Sequence, residues 1–230
     1  MECYIVNRCF FVTGTDTDVG KTVVSCALLQ AAADNGYQTA GYKPVASGSE
    51  QLTIGLRNSD AQLLRKNSSV KLNYHDVNPI VFAQATSPHI ASQLTGELID
   101  WQIMHTGLNK LTQSANWIIV EGAGGWYTPL CAEHTLADWV IQQQLPVILT
   151  VGIKLGCINH AILTAQAIEQ SGLLLAGWVA NEIVLPGQYQ QDYLLTLQQR
   201  LSAPCLGVIP HLPNWQSHSI GKFVNLDNLL

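Results

Sequence analysis

With 230 residues, 47% of them hydrophobic, the chain can bury one substantial core and is short enough to be a single domain. Only 12% of the residues are charged, and the net charge is −5 with eleven Lys and Arg scattered along the chain, so the electrostatic footprint of a nucleic-acid binder is missing. No stretch reaches the roughly 18 apolar residues of a membrane span, and the N-terminal MECYIVNRC carries Glu2 where a leader would be apolar; a cytoplasmic protein is expected, and its sparse ionic surface favours an oligomer.

Phe10-Phe11-Val12 opens the chain's first strand, which runs into Thr13-Gly14-Thr15-Asp16-Thr17-Asp18-Val19-Gly20-Lys21-Thr22. This reads as a phosphate-binding loop: a strand ends abruptly, the loop turns its N–H groups inward, and a helix begins with its positive end toward an anion. Lys21 is placed to reach the β/γ-phosphates and the Thr22 hydroxyl to ligate Mg²⁺. Thr15 occupies the place of the usual first glycine, with Gly14 one residue earlier. The alternative is a glycine-containing strand-to-helix turn with a solvent lysine, but the order strand, loop, apolar helix favours the phosphate reading.

A helix follows over 21–35, apolar at Val24, Ala27, Leu28 and Ala31, with Gly36 as a left-handed stop. The second strand, from Thr39 to Val45, contains Lys43-Pro44. A residue before proline is held extended, so Lys43 projects in a fixed direction beside a turn at Ser47 and Gly48. A cation there would serve anionic intermediates, but a lysine snorkelling beside a turn fits the spacing equally well. A helix over 59–66 puts Asp60 in its first turn, where a helix-end charge explains it alone. In Thr86-Ser87-Pro88-His89, Ser87 as N-cap and Pro88 at the first helical position are structural, and His89 needs no catalytic task.

After a helix over 99–113, the strand Trp117–Glu121 delivers a carboxylate directly into Gly122-Ala123-Gly124-Gly125. Glu121 resembles the second metal-binding acid that a phosphate-loop enzyme needs, and the glycines admit close approach of a ligand. Helices over 136–144, 159–171 and 189–201 then alternate with strands over 146–151, 175–181 and 205–209. Near-continuous apolar strands alternating with helices predict an α/β fold, a doubly wound and mostly parallel sheet covered on both faces, with ligands at the carboxyl ends of the strands. Six cysteines (Cys3, Cys9, Cys26, Cys131, Cys157, Cys205) have no C-x-x-C spacing and sit mostly in apolar runs, as reduced core thiols do.

The segments VTGTDTDVGKT, GYKPVASGS, GLRNSDA, NPIVFAQATSPHIA, EGAGGWYTPL, LPVILTVGIKLGCINHA, LAGWVAN and GKFVNL, in this order, resemble the dethiobiotin synthetases over essentially the whole chain. The resemblance implies an ATP- and Mg²⁺-dependent ligase of biotin synthesis. Such an enzyme closes the ureido ring of dethiobiotin from 7,8-diaminopelargonate (7,8-diaminononanoate) and CO₂. It implies that Lys21 and Lys43 are catalytic and that Thr22, Asp60 and Glu121 hold the metal. Asp18, Val19, Gly20, Lys21, Thr22 and Val23, with Asp60 and Glu121-Gly122-Ala123-Gly124, would bind the nucleotide phosphates. Asn181, Glu182 and Pro210-His211-Leu212 would form the adenine end. Thr17, Ser47 and Gly124 would contact the substrate, whose carboxylate Asn159 and Tyr193 would reach from the second subunit of a homodimer.

The chain departs from the pattern in a few extra N-terminal residues and in segment 213–220, which holds no Asp or Glu where the family offers the ribose a carboxylate. For Asn159, read as opening its helix, a plain N-cap role is the alternative. Among other functions, a nucleotide-switch ATPase would carry a signature lysine five residues before Lys21, where this chain has Asp16. A non-catalytic ATP-binding module would not need Lys21, Lys43, Asp60 and Glu121 together. A divergent second copy of the synthetase with shifted substrate preference also remains open.

Overall fold

The computed structural model describes residues 8–230, so Cys3 and the segment around Glu2 lie outside it. The chain begins with β1 (Arg8–Gly14), α1 (Lys21–Asp34) and β2 (Thr39–Tyr42). Short elements follow: β3 (Val45–Ala46), the antiparallel pair β4 (Glu50–Leu52) and β5 (Gly55–Arg57), α2 (Ser59–Asn67), α3 (Tyr74–Val77), and β6 (Ile80–Val81), which pairs with β3. Then come α4 (Pro88–Thr95) and α5 (Trp101–Leu111). The second half alternates regularly through β7 (Trp117–Glu121), α6 (Leu136–Gln142), β8 (Val147–Gly152), α7 (Cys157–Gln170), β9 (Leu175–Asn181), α8 (Gln190–Arg200) and β10 (Cys205–Ile209).

Six strands form one parallel sheet in the order β10-β9-β8-β1-β7-β2, the doubly wound architecture expected from the alternation. Successive side chains on a strand point to opposite faces, and here both faces are apolar. Phe11, Ile118, Val120, Leu149 and Trp178 pack into one core; Phe10, Val12, Trp117, Ile119, Ile148 and Val179 pack into the other. That is why these strands read as continuous apolar runs. At about 1.5–3 kcal/mol for each large apolar side chain fully buried, these two layers dominate the stability of the fold.

Pro44 changes the second strand. It has no N–H to continue a ladder, so β2 ends at Tyr42, and Val45–Ala46 pairs with Ile80–Val81 in a separate sheet instead of extending β2. Helix α1 is buried on more sides than its apolar spacing implied, with Cys26, Leu29 and Ala32 also enclosed. The cause is the C-terminal segment, where Gln30 Oε1 accepts hydrogen bonds from the Ile220 and Gly221 N–H groups. A Cβ on Gly221 would lie 2.7 Å from the Ala31 nitrogen. The described cysteines are free thiols, and Cys131 departs from the core pattern by being exposed. Among the described residues, no helix is long and apolar enough to cross a membrane.

Strand register places the functional side chains. Val12 of β1 lies opposite Glu121 of β7, and Tyr42 of β2 opposite Val120, so the residue after Tyr42, Lys43, emerges beside Glu121. Gly14 pairs with Thr150, and Gly152 with Asn181. The carboxyl ends of these five strands are therefore level, and the loops leaving them share one edge.

Candidate active site

The loop after β1 is built on left-handed backbone. Asp18 has φ 58° and Gly20 φ 85°, and a Cβ on Gly20 would fall 2.0 Å from Asn181 Nδ2, so only glycine fits. Thr15, standing where a glycine is usual, extends the ladder by one residue through its N–H to Thr150 O (3.1 Å). Helix α1 begins at Lys21 with no side-chain cap and no acid in its first turn, which leaves its N-terminal N–H groups and positive dipole end facing the cavity. Lys21 is buried, and its Nζ donates to Asp16 O (3.1 Å). Burial, followed by the neighbouring Lys43 cation, lowers its pKa to about 8. Anionic phosphate would reverse both effects.

Glu121 is the hub of the site. It is 1% exposed; its Oε1 accepts Lys43 Nζ at 2.6 Å and Thr22 Oγ1 at 3.0 Å, while its Oε2 is buried with no hydrogen-bond partner among the described residues. Asp60 Oδ2 lies 3.3 Å from Lys43 Nζ. Asn58, whose side chain accepts from Ala61 N, caps α2, so Asp60 is not needed as a cap and turns toward the lysine. Lys43 is 4% exposed, which overturns the snorkelling alternative. Burial pulls its pKa down, but Glu121 and Asp60 outweigh burial and the net shift is upward, so the amine stays charged. A threonine hydroxyl and two carboxylates, one with an unpartnered buried oxygen, make a hard-oxygen donor set that fits Mg²⁺.

Three cavities lie along this edge. The central one, 490 Å³, is lined by Lys21, Thr22, Lys43, Asp60 and Glu121, with Gly122, Ala123 and Gly124 on its rim. On one side a 240 Å³ cavity is lined by Asn181, Glu182, Pro210, His211 and Leu212. Its wall is braced by Glu182, which accepts from Gln190 Nε2 and from His211 N and whose carbonyl accepts from His211 Nδ1 (3.3 Å). On the other side a 650 Å³ cavity is lined by Thr17, Ser47 and Gly124 together with Thr86, Ser87 and Pro88 at the start of α4. Asp18, Gly20 and Val23 border both the central and the smaller cavity. Val19 is buried beneath the loop, its carbonyl accepting Asn181 Nδ2 (2.9 Å).

Some expected roles change. Gly122 is small because a Cβ there would meet the Phe11 ring at 2.7 Å, a demand of the core, whereas Gly124 at φ 61° is the position where the backbone itself needs glycine. Ser87 occupies the N-cap of α4, but its hydroxyl meets His89 Nδ1 (2.9 Å) instead of a helix N–H. Gly156 caps α7, so Asn159 stands inside the first turn and the N-cap alternative fails. Neither Asn159, which is exposed, nor half-buried Tyr193 lines any of the three cavities. Missed entirely were Leu63, Trp215 and Gln216 on the central cavity and Lys154, whose Nζ is 3.8 Å from Asp16 Oδ2. The isolated Trp215 in a polar loop was the available signal.

Residues 8–219 match the protein family described as an AAA domain. The chain is 59% identical over 222 residues to ATP-dependent dethiobiotin synthetase BioD 1 of Escherichia coli (strain K12), covering 96% of this chain and 99% of the relative. It is 60% identical over 221 residues to ATP-dependent dethiobiotin synthetase BioD of Pseudescherichia vulneris, covering 96% and 92%. Among solved structures it is similar to the MinC:MinD cell division protein complex of Aquifex aeolicus, with TM-score 0.57 at 12% identity over 93% of this chain and 85% of that one. It also resembles the cell division ATPase MinD of Pyrococcus furiosus, with TM-score 0.54 at 15% identity over 94% of each chain. At such identities the structural likeness is one of fold alone.

Proposed function

The chain belongs to the ATP-dependent dethiobiotin synthetases, and from that premise we propose how its residues divide the work of closing the ureido ring. The enzyme forms dethiobiotin, ADP and phosphate from 7,8-diaminopelargonate, CO₂ and ATP. One amine adds to CO₂ and loses a proton, giving a carbamate; a carbamate oxygen attacks the γ-phosphorus and ADP leaves. The second amine then attacks the carbonyl carbon and loses a proton, the C–O bond to phosphate breaks so that phosphate leaves, and the new C–N bond closes the ring. Negative charge gathers on oxygen at every step, so fixed cations and N–H donors are what the reaction needs.

One observation carries the assignment of residues: Lys43 and Lys21 are both buried at a cavity that is bordered on one side by a smaller pocket of 240 Å³ and on the other by a larger one carrying several hydroxyl side chains. Lys21 and the N-terminal N–H groups of α1 hold the nucleotide phosphates. Lys43, kept charged by Glu121 and Asp60, faces the carbamate and the transferring phosphoryl group. Thr22, Glu121 and Asp60 would hold Mg²⁺, which when bound neutralises phosphate charge and polarises the phosphoryl group. Asn181, Glu182 and Pro210–Leu212 receive the adenine, and Thr17, Ser47 and Gly124 border the diamino acid. The whole chain acts as one domain, in the cytoplasm, without nucleic acid or membrane as partner.

Each site is completed across a homodimer by Asn159 and Tyr193 of the second subunit. In support, large apolar side chains close to them in sequence stand in solvent: Leu155 is 86% exposed, Leu163 57% and Leu195 53%. ATP turnover measured with Mg²⁺ and bicarbonate, with and without the diamino acid, tests the activity. Substrate-dependent phosphate release with dethiobiotin as product is expected, and substrate-independent hydrolysis would favour the nucleotide switch. Co-expression of Lys21→Ala and Asn159→Ala chains tests the shared site. Random pairing makes half of the dimers mixed, each with one intact site, so about a quarter of wild-type activity should return. Mixed dimers as inactive as either parent would leave each site within one subunit.

A further inference from the structure

The central cavity and the smaller cavity share four residues: Asp18, Gly20, Val23 and Trp215. A nucleotide with its phosphates in the first and its base in the second must carry its ribose over that seam. Of the four, glycine has no side chain, Val23 and Trp215 are apolar, and Asp18 is exposed, so none of them sets a buried polar group against the sugar. We infer that Trp215 is the surface on which the ribose and base rest, and that this enzyme recognises the sugar by apolar contact, so that a 2′-deoxynucleotide serves nearly as well as ATP. This inference rests on the nucleotide reading above.

Trp215 is built to be a wall. It opens a one-turn 3-10 helix, Trp215–Ser217, entered through Asn214 at φ 56°, a left-handed conformation that fixes where the next side chain emerges. The half-buried indole packs on the same core layer as Val23, Leu63 and Leu212, so it is held against the helix whose N-terminus faces the phosphates. The polar alternatives are few. Segment 213–220 contains no carboxylate. Glu182, in the base cavity, already accepts hydrogen bonds from Gln190 and His211. A site rejects an analogue lacking a hydroxyl only when a buried polar group is left unpaired by its loss. A flat aromatic face gives contact area to base and sugar without that demand.

The test uses Trp215 as its own reporter. Of the six tryptophans, Trp117, Trp126, Trp139 and Trp178 are in the core and Trp101 packs beside His134, away from these cavities. Tryptophan emission is followed while Mg·ADP or Mg·dADP is titrated into the intact protein, with calorimetry in parallel. The wild type should change emission with both nucleotides. Trp215→Phe should lose the signal but keep affinity within about threefold, and Trp215→Ala should weaken both nucleotides by about tenfold. In turnover, kcat/KM for dATP should stay within about threefold of that for ATP. A dATP penalty above about a hundredfold would show that Asp18 or Gln216 grips the 2′-hydroxyl and would overturn the inference. So would calorimetric binding with unchanged emission, or undiminished affinity in Trp215→Ala. If calorimetry detects neither nucleotide on the wild type, the nucleotide site itself is refuted, and this inference with it.

Discussion

Two lysine–carboxylate pairs in this chain close to the same 2.6 Å, and their surroundings are opposite. Lys43 and Glu121 meet at the carboxyl ends of β2 and β7 with side chains 5% and 1% exposed. Lys110 of α5 meets Asp76 of α3 on the surface, with 64% of the lysine side chain exposed. Around the surface pair, water screens the attraction and the net gain is small. Around the buried pair, desolvation opposes ionisation, and the pair persists because two carboxylates act on one ammonium. Such a pair is a weak source of stability but a durable source of fixed charge, which is what phosphoryl transfer uses.

The largest expected effect breaks the buried pair. Lys43→Ala should lower kcat by about 10²- to 10³-fold while nucleotide affinity, measured by calorimetry, changes little, because Lys21 and the loop N–H groups hold the phosphates. Lys21→Ala should lose both. If Lys43→Ala lost affinity as steeply as Lys21→Ala, the two lysines would share one role. Smaller in effect, Glu121→Gln keeps an oxygen for Thr22 but removes the charge. Turnover should fall about ten- to a hundredfold and more Mg²⁺ should be needed for half-maximal rate. Near-normal activity at limiting Mg²⁺ would remove Glu121 from the metal site.

The two pairs also differ in how far they could be read from residues alone. Lys21, Thr22 and Glu121 were legible because each follows an apolar strand by a fixed spacing. Lys43 was legible only as a lysine with a fixed direction, because its partner depends on strand order. Nothing local says that β2 lies beside β7, 75 residues on, in register Tyr42↔Val120. The Asp76–Lys110 pair was invisible for the same reason, since α3 is a single turn with no period to detect. The pair β4 and β5 escaped because all three residues of β4 are exposed and those of β5 only half-buried, so no alternation marks them. The start of α7 was misplaced by two residues, although Gly156 in its left-handed conformation marks the cap. Trp215 was passed over because an aromatic in a loop declares a role only when two cavities are seen to meet there.

The smallest effect sharpens the comparison from the other side. Asp76 accepts from Lys110 and also closes the capping box of α3 through Asn73. The Lys110 hydrogen bond, and after it those from Asn73, hold its carboxyl below the ordinary value against a partial burial that acts the other way. A depressed carboxylate contributes stability above its unfolded pKa of about 3.9, and that contribution is lost as pH falls through the folded value. Lys110→Ala should therefore cost at most about 1 kcal/mol at pH 7. The cost should shrink in about 1 M salt and vanish in acid once Asp76 is protonated in both folded and unfolded chains. Asp76→Asn should cost more than Lys110→Ala at pH 7, because it weakens the cap as well as the pair. A double-mutant cycle by urea melts at neutral and acid pH separates the two contributions. A coupling energy above about 2 kcal/mol, or one indifferent to salt, would mean that the surface pair is shielded from water and that its contrast with Lys43–Glu121 is one of position only.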